Sequence, residues 1–274
     1  MKPTGILLPK DLLDEPPHVA AQAVVDYVNV LREQLWTDEE IPEVAWAIYY
    51  ADYYLTEVEN GGHSQFLYNA RPRELVVRLA EEGLRMVGAQ RIAEILAEAL
   101  ALVAAEPELL ERLTRAQYFG ASRDVAPRFA EVDEALWSVP DDMSWLTLCH
   151  RWLRDSPEVE RLDRDAYDAR LEALAEAVPD REARRRAAEE AYDAAMPPYE
   201  KRIREACRAR ALEYDRLTAG VPRPGGVVEW SFLASGTRRV AVVRGGTLVR
   251  IVWAPLDRTL WSDLLARFGI GTGL

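Results

Sequence analysis

Cysteine and histidine are scarce in this sequence, with two cysteines and three histidines among 274 residues. Cys149 and Cys207 have neither CxxC nor zinc-type spacing, and the histidines form no HExxH or comparable pair. These absences argue against a disulfide framework and the common metal-ligand patterns, so we expect no metal and no cofactor. So few cysteines fit a reducing compartment, which predicts a cytoplasmic protein.

Long hydrophobic runs are also absent, and the sequence shows no leader pattern of a positively charged segment followed by an apolar one. No stretch approaches the roughly 20 apolar residues that a membrane helix needs, so we expect no membrane association. Hydrophobic residues nevertheless make up 49% of the chain and include 8 Trp and 11 Tyr. This composition predicts a folded protein rather than a disordered one.

Negative charge is unevenly distributed along the chain, whose formal net charge is −12. Residues 1–180 carry 35 acidic and 17 basic side chains, a balance of −18, whereas residues 181–274 carry 11 acidic and 17 basic, a balance of +6. The acidic part should repel nucleic acid and attract basic protein surfaces. Solubility alone is the alternative explanation of the acidity.

The spacing of apolar residues predicts a mainly α protein in three parts. Residues 1–156 are predicted to form an acidic multi-helix domain that begins with an irregular arm over residues 1–16. Residues 157–220 are predicted to form a long charged helical connector, with helices at Asp163–Val178, Asp180–Ala195 and Tyr199–Thr218. Their apolar seams are narrow, a pattern that also fits pairing between two copies of the chain.

Residues 221–274 are predicted to form a small module, a three-stranded antiparallel β-meander followed by a helix. The Pro- and Gly-rich segment Val221–Gly226 breaks the preceding helix. Strands are predicted at Val227–Ala234, Arg239–Arg244 and Thr247–Trp253, and the last helix at Asp257–Phe268. Gly245 and Gly246 fit a two-residue hairpin turn.

The stretch from Glu57 to Asn69, here called the glycine corner, is the most informative part of the chain. It follows an aromatic-rich helical pattern, and its two glycines can supply the left-handed backbone that ends a helix. We interpret it as a helix–turn–helix joint whose amides cap free backbone groups. The residues of this joint are Asn60, Gly61, Gly62, His63, Gln65, Phe66 and Asn69.

The run E-V-x-N-G-G-x-x-Q-F-x-x-N, with Trp46, Tyr50 and Tyr54 before it, resembles the signature of a bacterial family of DNA-mimic proteins. Most of that family is catalogued as a domain of unknown function. Residues 129–137 are similar to a second family element, roughly F-x-x-L-D-E-x-F-Y. The resemblance covers about residues 20–155 and departs from the family at His63 and Leu67. It implies a helical fold and, as partner, a basic DNA-binding protein.

Two groups of carboxylates could imitate the phosphates of DNA. The entrance stripe consists of Asp38, Glu39, Glu40 and Glu43, extended by Glu57 and Glu59. The downstream stripe consists of Asp165, Asp168, Glu172 and Glu176. Each has a simpler explanation: acidic residues stabilise the start of a helix, and Arg161 and Arg164 could neutralise Asp165 and Asp168 as i,i+4 pairs.

These patterns favour an acidic, non-enzymatic protein-interaction module, and three alternatives stay open. An immunity or antitoxin-like protein would bind a basic toxin through the same charges. An enzyme would use His63 and Gln65, with Glu57 and Asn69, for acid–base chemistry. Direct nucleic-acid binding by the arginine-rich helices is disfavoured because glutamates are interleaved with the arginines.

Overall fold

The computed structural model describes residues 2–70, 72–115 and 125–253 of the chain. The chain divides into two compact units, Met1–Arg181 and Glu182–Leu274. The first unit therefore extends past the predicted boundary at residue 156 and includes the first helix of the predicted connector. No helix among the described residues is both long and apolar enough to cross a membrane.

The first unit is mainly helical, as predicted. Its helices are α1 (Pro17–Glu33), α2 (Glu43–Asn69), α3 (Arg73–Met86), α4 (Gln90–Ala105), α5 (Glu108–Arg115), α6 (Ala130–Trp137), α7 (Trp145–Asp155) and α8 (Arg164–Glu176). Short 3-10 helices lie at Lys10–Leu13, Ala126–Phe129 and Asp141–Met143. These helices surround one large hydrophobic core.

Helices α2 and α3 pack closely because of one glycine. A Cβ atom at Gly83 would lie 2.1 Å from the carbonyl oxygen of Ala47 and 3.0 Å from the Cβ of Ala51. Any larger residue would push the helices apart, since such distances are far below van der Waals contact. The apolar stripe of α3, which includes Val76 and Leu79, is thereby buried against α2.

The prediction of an irregular arm over residues 1–16 is wrong at its centre. Strand β1 (Ile6–Pro9) pairs in parallel with β2 (Val159–Leu162), and Ile6 lies opposite Val159. All four residues of β1 are buried, so the arm is part of the core. Four-residue strands far apart in sequence carry too little periodicity to be predicted from it.

The second unit contains α9 (Arg181–Ala195), whose first residue belongs to the first unit, then α10 (Pro198–Arg208) and an antiparallel sheet. The sheet order is β3-β4-β5-β6, with β3 Tyr214–Arg223, β4 Val227–Ala234, β5 Thr237–Arg244 and β6 Thr247–Val252. The meander therefore has four strands rather than three. Ile203 and Cys207 of α10 form a small core with Phe232 of β4.

The additional strand corrects the predicted helix at Tyr199–Thr218. Helix α10 ends at Arg208 because Ala211 adopts a left-handed conformation with φ of 53° and Leu212 N–H bonds back to the Cys207 carbonyl. β3 then runs through Pro222, which is tolerated because β3 is an edge strand. The predicted last helix, Asp257–Phe268, lies outside the described residues.

Candidate functional site

The glycine corner is a kink inside α2. Gly62 has φ of 73°, a left-handed value, whereas Gly61 has φ of −167°, which is ordinary extended backbone. Only one of the two glycines therefore supplies the left-handed geometry expected of the pair. Phe66 and Leu67 anchor the second half of the helix, since both are fully buried.

His63 is held at the corner by a buried hydrogen-bond network. Its Nδ1 lies 2.6 Å from Asp133 Oδ1, and its backbone N–H donates to the same oxygen at 2.9 Å. Its Nε2 lies 2.8 Å from the Tyr54 hydroxyl. Burial, followed by the negative charge of Asp133, raises the pKa of Tyr54. Phe129 stacks beside the imidazole, with ring centroids 6.4 Å apart.

Asp133 belongs to the second sequence element, so the two elements meet at the kink. A Cβ on Gly62 would lie 2.6 Å from Asp133 Oδ2, so glycine is needed there for space as well as for conformation. Asp133 was recognised as part of that second element, but its contact with His63, 70 residues away in the chain, has no local sequence pattern.

The corner therefore fits a structural joint better than an active site. His63 has no exposed surface, and both of its ring nitrogens already have partners. Asn69 Nδ2 donates to Glu57 Oε2 at 2.6 Å, so this amide ties the two halves of α2 together through a side chain rather than through the expected backbone group. A substrate could not reach the imidazole without opening the core.

The entrance stripe is partly neutralised by the protein itself. Glu43 pairs with Arg78 at 2.7 Å, and Asp38 lies 3.7 Å from Arg32. The Glu40 carboxylate accepts the backbone N–H of Thr37 at 3.0 Å. Glu39 is exposed and has no ion pair with another described residue. The stripe therefore does not form one free array.

Two further carboxylates, Glu57 and Glu59, are predicted to extend this stripe. Glu57 is half-buried and is held by Asn69. Glu59 is exposed, and its charge lies near Asp52 on the same helix. Burial raises the pKa of Asp52, and the nearby Glu59 raises it further, whereas a hydrogen bond from Trp145 lowers it.

The downstream stripe lies on the exposed face of α8. All four carboxylates are exposed, and none forms an ion pair with another described residue. The neighbouring arginines contact other groups: Arg164 pairs with Asp11 at 3.0 Å, and Arg161 donates to the carbonyl oxygens of Leu153, Ser156 and Val159. The i,i+4 pairs that would have neutralised Asp165 and Asp168 are therefore not formed.

Comparison with known families identifies the part of the chain that contains the corner. Residues 39–156 match the model of the DMP19-like protein family. No curated protein and no solved structure matches the chain. The family resemblance read from the corner is thereby confirmed, although the matched region starts at residue 39 rather than near 20.

The DMP19-like segment holds both halves of the corner network but not the downstream stripe. Asp133 and His63 lie inside the matched residues, whereas α8 begins after them, at Arg164, and still belongs to the first compact unit. The joint is thus a feature of the DMP19-like segment, and the free array on α8 lies outside it.

Helix α1 contributes two carboxylates that the sequence did not single out. Asp26 and Glu33 are exposed and lie seven residues apart, on one face of α1. Burial raises the pKa of Tyr167 on α8, Arg164 lowers it, and the charges of Asp168 and Asp26 raise it further. The Gln34 side chain, just after α1, donates to the Leu171 carbonyl of α8 at 3.2 Å. Because Gln34 and Leu171 are 137 residues apart in the chain, no local sequence pattern indicates that the two helices are in contact.

The candidate site has no metal chemistry in the part of the chain that the structure describes. No group of three or more His, Cys, Asp or Glu side chains there could hold a metal ion. Both cysteines are free and fully buried, and burial raises the pKa of each thiol.

Proposed function

We propose that this protein is a non-enzymatic DNA mimic that occupies the basic surface of a DNA-binding protein through the downstream stripe on α8. The observation that supports the proposal most directly is the freedom of that stripe. Its four carboxylates are exposed, and Arg161 and Arg164, the two arginines predicted to neutralise Asp165 and Asp168, contact other groups.

The spacing of the stripe suits a phosphate-binding surface. Asp165 and Glu176 are eleven residues apart, which corresponds to about 16 Å along a helix that rises 1.5 Å per residue. The four carboxylates lie within one face because steps of three and four residues return to the same side. Their mean separation is about 5.5 Å, comparable with B-DNA, which offers one phosphate per roughly 3.4 Å of axis on each strand.

The helix that carries the stripe is held in place by packing. The opposite face of α8 packs on the core of the first unit through Leu171 and Leu174. Arg170, on the same helix, lies 3.9 Å from Glu160 of β2. A fixed array loses less conformational entropy on binding than mobile side chains on a loop would lose. Asp26 and Glu33 of α1 would widen the array beyond a single helix.

The DMP19-like match supports the class of function, since the resemblance implies DNA mimicry. A shared fold does not carry a shared partner, so the partner is defined here by its chemistry alone. It would be a basic, DNA-binding protein, such as a transcriptional regulator. The scarcity of cysteine supports a cytoplasmic place of action.

Affinity capture with matched charge variants tests the proposal. Three proteins are immobilised on a resin and exposed to lysate of the source organism. They are the wild-type chain, Asp168→Lys/Glu172→Lys on the stripe, and Glu189→Lys/Glu190→Lys on α9. The last pair is an exposed control with the same change in charge. We expect wild type and control to retain DNA-binding proteins at low salt, release them near 0.5 M salt, and lose them to added duplex DNA, because screening weakens exposed charges. The stripe variant should retain none.

Two outcomes would contradict the proposal. Equal retention by the stripe variant would show that α8 is not the contact surface. Retained proteins that do not bind DNA, and that duplex DNA does not displace, would instead fit the immunity-like binder of a basic toxin.

A further inference from the structure

A groove runs along the first unit between the start of α2 and helix α3, with a volume of about 920 Å³. Its apolar lining includes Ile41, Val44, Leu75, Leu79 and Met86. Leu75 is 38% exposed, an unusual position for a leucine that faces a concavity. The volume lies in the range of ligand-binding clefts in proteins.

The rim of the groove is strongly negative. Six carboxylates and two cations line it, a formal charge of −4; the carboxylates are Asp38, Glu39, Glu40, Glu43, Glu82 and Glu158. Glu39 and Glu158 are exposed and have no ion pair with another described residue. The entrance stripe is thus the edge of a cleft rather than a flat row of charges.

An aromatic shelf lies inside this rim. Trp46 and Tyr50 are stacked, with ring centroids 5.3 Å apart and an interplanar angle of 19°. The guanidinium of Arg32 lies over Trp46 at 5.7 Å from its ring. The negative faces of aromatic rings attract cations at such distances.

The groove already shows how it would hold a guanidinium. Arg78 extends from α3 and bonds to Glu43 of α2 at 2.7 Å and to Glu82 at 2.9 Å. The protein's own arginine is therefore clamped by two carboxylates at one side of the cleft, while Glu39 and Glu158 have no such partner. Charge complementarity predicts that the unused carboxylates attract a second cationic side chain.

We propose that this groove binds an extended basic peptide segment of a partner protein, in which arginine or lysine residues alternate with aliphatic ones. The basic side chains would meet Glu39 and Glu158, and the aliphatic ones would cover Leu75 and Met86. The groove is distinct from the downstream stripe and takes a flexible peptide rather than a rigid DNA-binding surface. This inference therefore goes beyond the proposed function and does not depend on it.

Other occupants fit less well. Nucleic acid would place phosphates against a rim of formal charge −4. A purely apolar ligand would leave the carboxylates desolvated without a partner. The acidic part of a second copy would repel the rim, since residues 1–180 carry a balance of −18, from 17 basic and 35 acidic side chains.

Fluorescence anisotropy with synthetic peptides tests this inference on the full chain. The probe is a labelled peptide of alternating Arg and Leu, about 30 Å long when extended over nine residues. Two control probes replace Arg by Glu or Leu by Ser. We expect saturable binding of the Arg–Leu peptide, weaker binding of the Arg–Ser peptide and none of the Glu–Leu peptide.

Variants assign the binding to the groove. Glu39→Lys and Leu75→Ser should each weaken binding by about tenfold, since the first opposes the peptide's charge and the second removes an apolar contact. Asp168→Lys/Glu172→Lys on the downstream stripe should leave it within about twofold of wild type, which also separates this inference from the proposed function.

Three results would overturn the inference. The first is no saturable binding of the Arg–Leu peptide. The second is equal loss with groove and stripe variants, which would reveal attraction to overall acidity. The third is self-association in sedimentation that Glu39→Lys abolishes and that competes with the peptide, which would make a second copy the occupant.

Discussion

Replacement of Asp133 tests the structural joint between the two sequence elements. In the folded protein its carboxylate accepts the His63 backbone N–H at 2.9 Å and lies 2.6 Å from Nδ1 of the imidazole. His63 is fully buried, whereas the Asp133 side chain is 22% exposed. Asp133→Ala would leave the buried donors of His63 without an acceptor.

The magnitude follows from those two hydrogen bonds. A bond to a charged group contributes about 1.5–3 kcal/mol, and an unsatisfied buried group costs about 1–3 kcal/mol. Asp133→Ala leaves two buried donors unsatisfied. Because the carboxylate is partly exposed, we take the lower half of the second range for each donor and expect a total loss of about 2–4 kcal/mol in the free energy of unfolding. Tyr54→Phe, which frees the other ring nitrogen, should cost about 1–3 kcal/mol.

Hydrogen exchange is the suitable assay, because a chain with two units need not unfold in a single transition. The free energy of opening is read from peptides of α2 and α6 by mass spectrometry. Glu134→Ala, an exposed neighbour on α6, is the matched control and should change it by less than about 0.5 kcal/mol. If Asp133→Ala and Glu134→Ala gave the same free energy of opening, Asp133 would not stabilise the joint between the two elements.

Three further results follow from burial and charge. Burial raises the pKa of Asp52 above its ordinary value, so the folded state binds the proton more tightly than the unfolded state, and ionisation of Asp52 destabilises the fold. Asp52→Asn should therefore raise the free energy of unfolding at pH 7. This gain should shrink as the pH falls through the acidic range, and a gain that stays constant would contradict the prediction. Iodoacetamide at pH 8 should label neither Cys149 nor Cys207 until the protein unfolds, since both are fully buried, and mass spectrometry would detect any native labelling that contradicts this. Arg223→Met should destabilise the sheet by about 1–3 kcal/mol, because it leaves the buried Glu229 carboxylate without its partner. Glu229→Gln should cost less, since Arg223 is partly exposed to solvent. Equal losses of unfolding free energy on chemical denaturation would contradict this difference.

Elements with long apolar periodicity could be predicted from the sequence, whereas contacts between distant segments could not. The helices α1, α3 and α4 have apolar residues at helical spacing, and the Gly245-Gly246 turn has the positive φ values of 54° and 74° that its composition indicates. The pairing of Ile6 with Val159 spans more than 150 residues and leaves no local pattern.

The candidate site was predictable in composition but not in geometry. The four acidic residues of α8 share a face because helical spacing requires it. Arg161 could have paired with Asp165, but it donates instead to the carbonyl oxygens of Leu153 and Ser156. The folded backbone brings these two oxygens together, so the sequence alone does not reveal them as competing acceptors. The groove likewise needed the position of α3, which places Leu75 and Arg78 beside the entrance stripe.

In the proposed function, α8 presents four exposed carboxylates to a basic protein. The most direct measurement is the salt dependence of the dissociation constant between this chain and a captured DNA-binding protein, for wild type and for a variant with all four stripe carboxylates changed to amides. Exposed ion pairs contribute about 0.2–1 kcal/mol each, so we expect the variant to bind about 4- to 900-fold more weakly at low salt and to lose most of its salt dependence. An unchanged dissociation constant and an unchanged salt slope would show that α8 does not contact the partner.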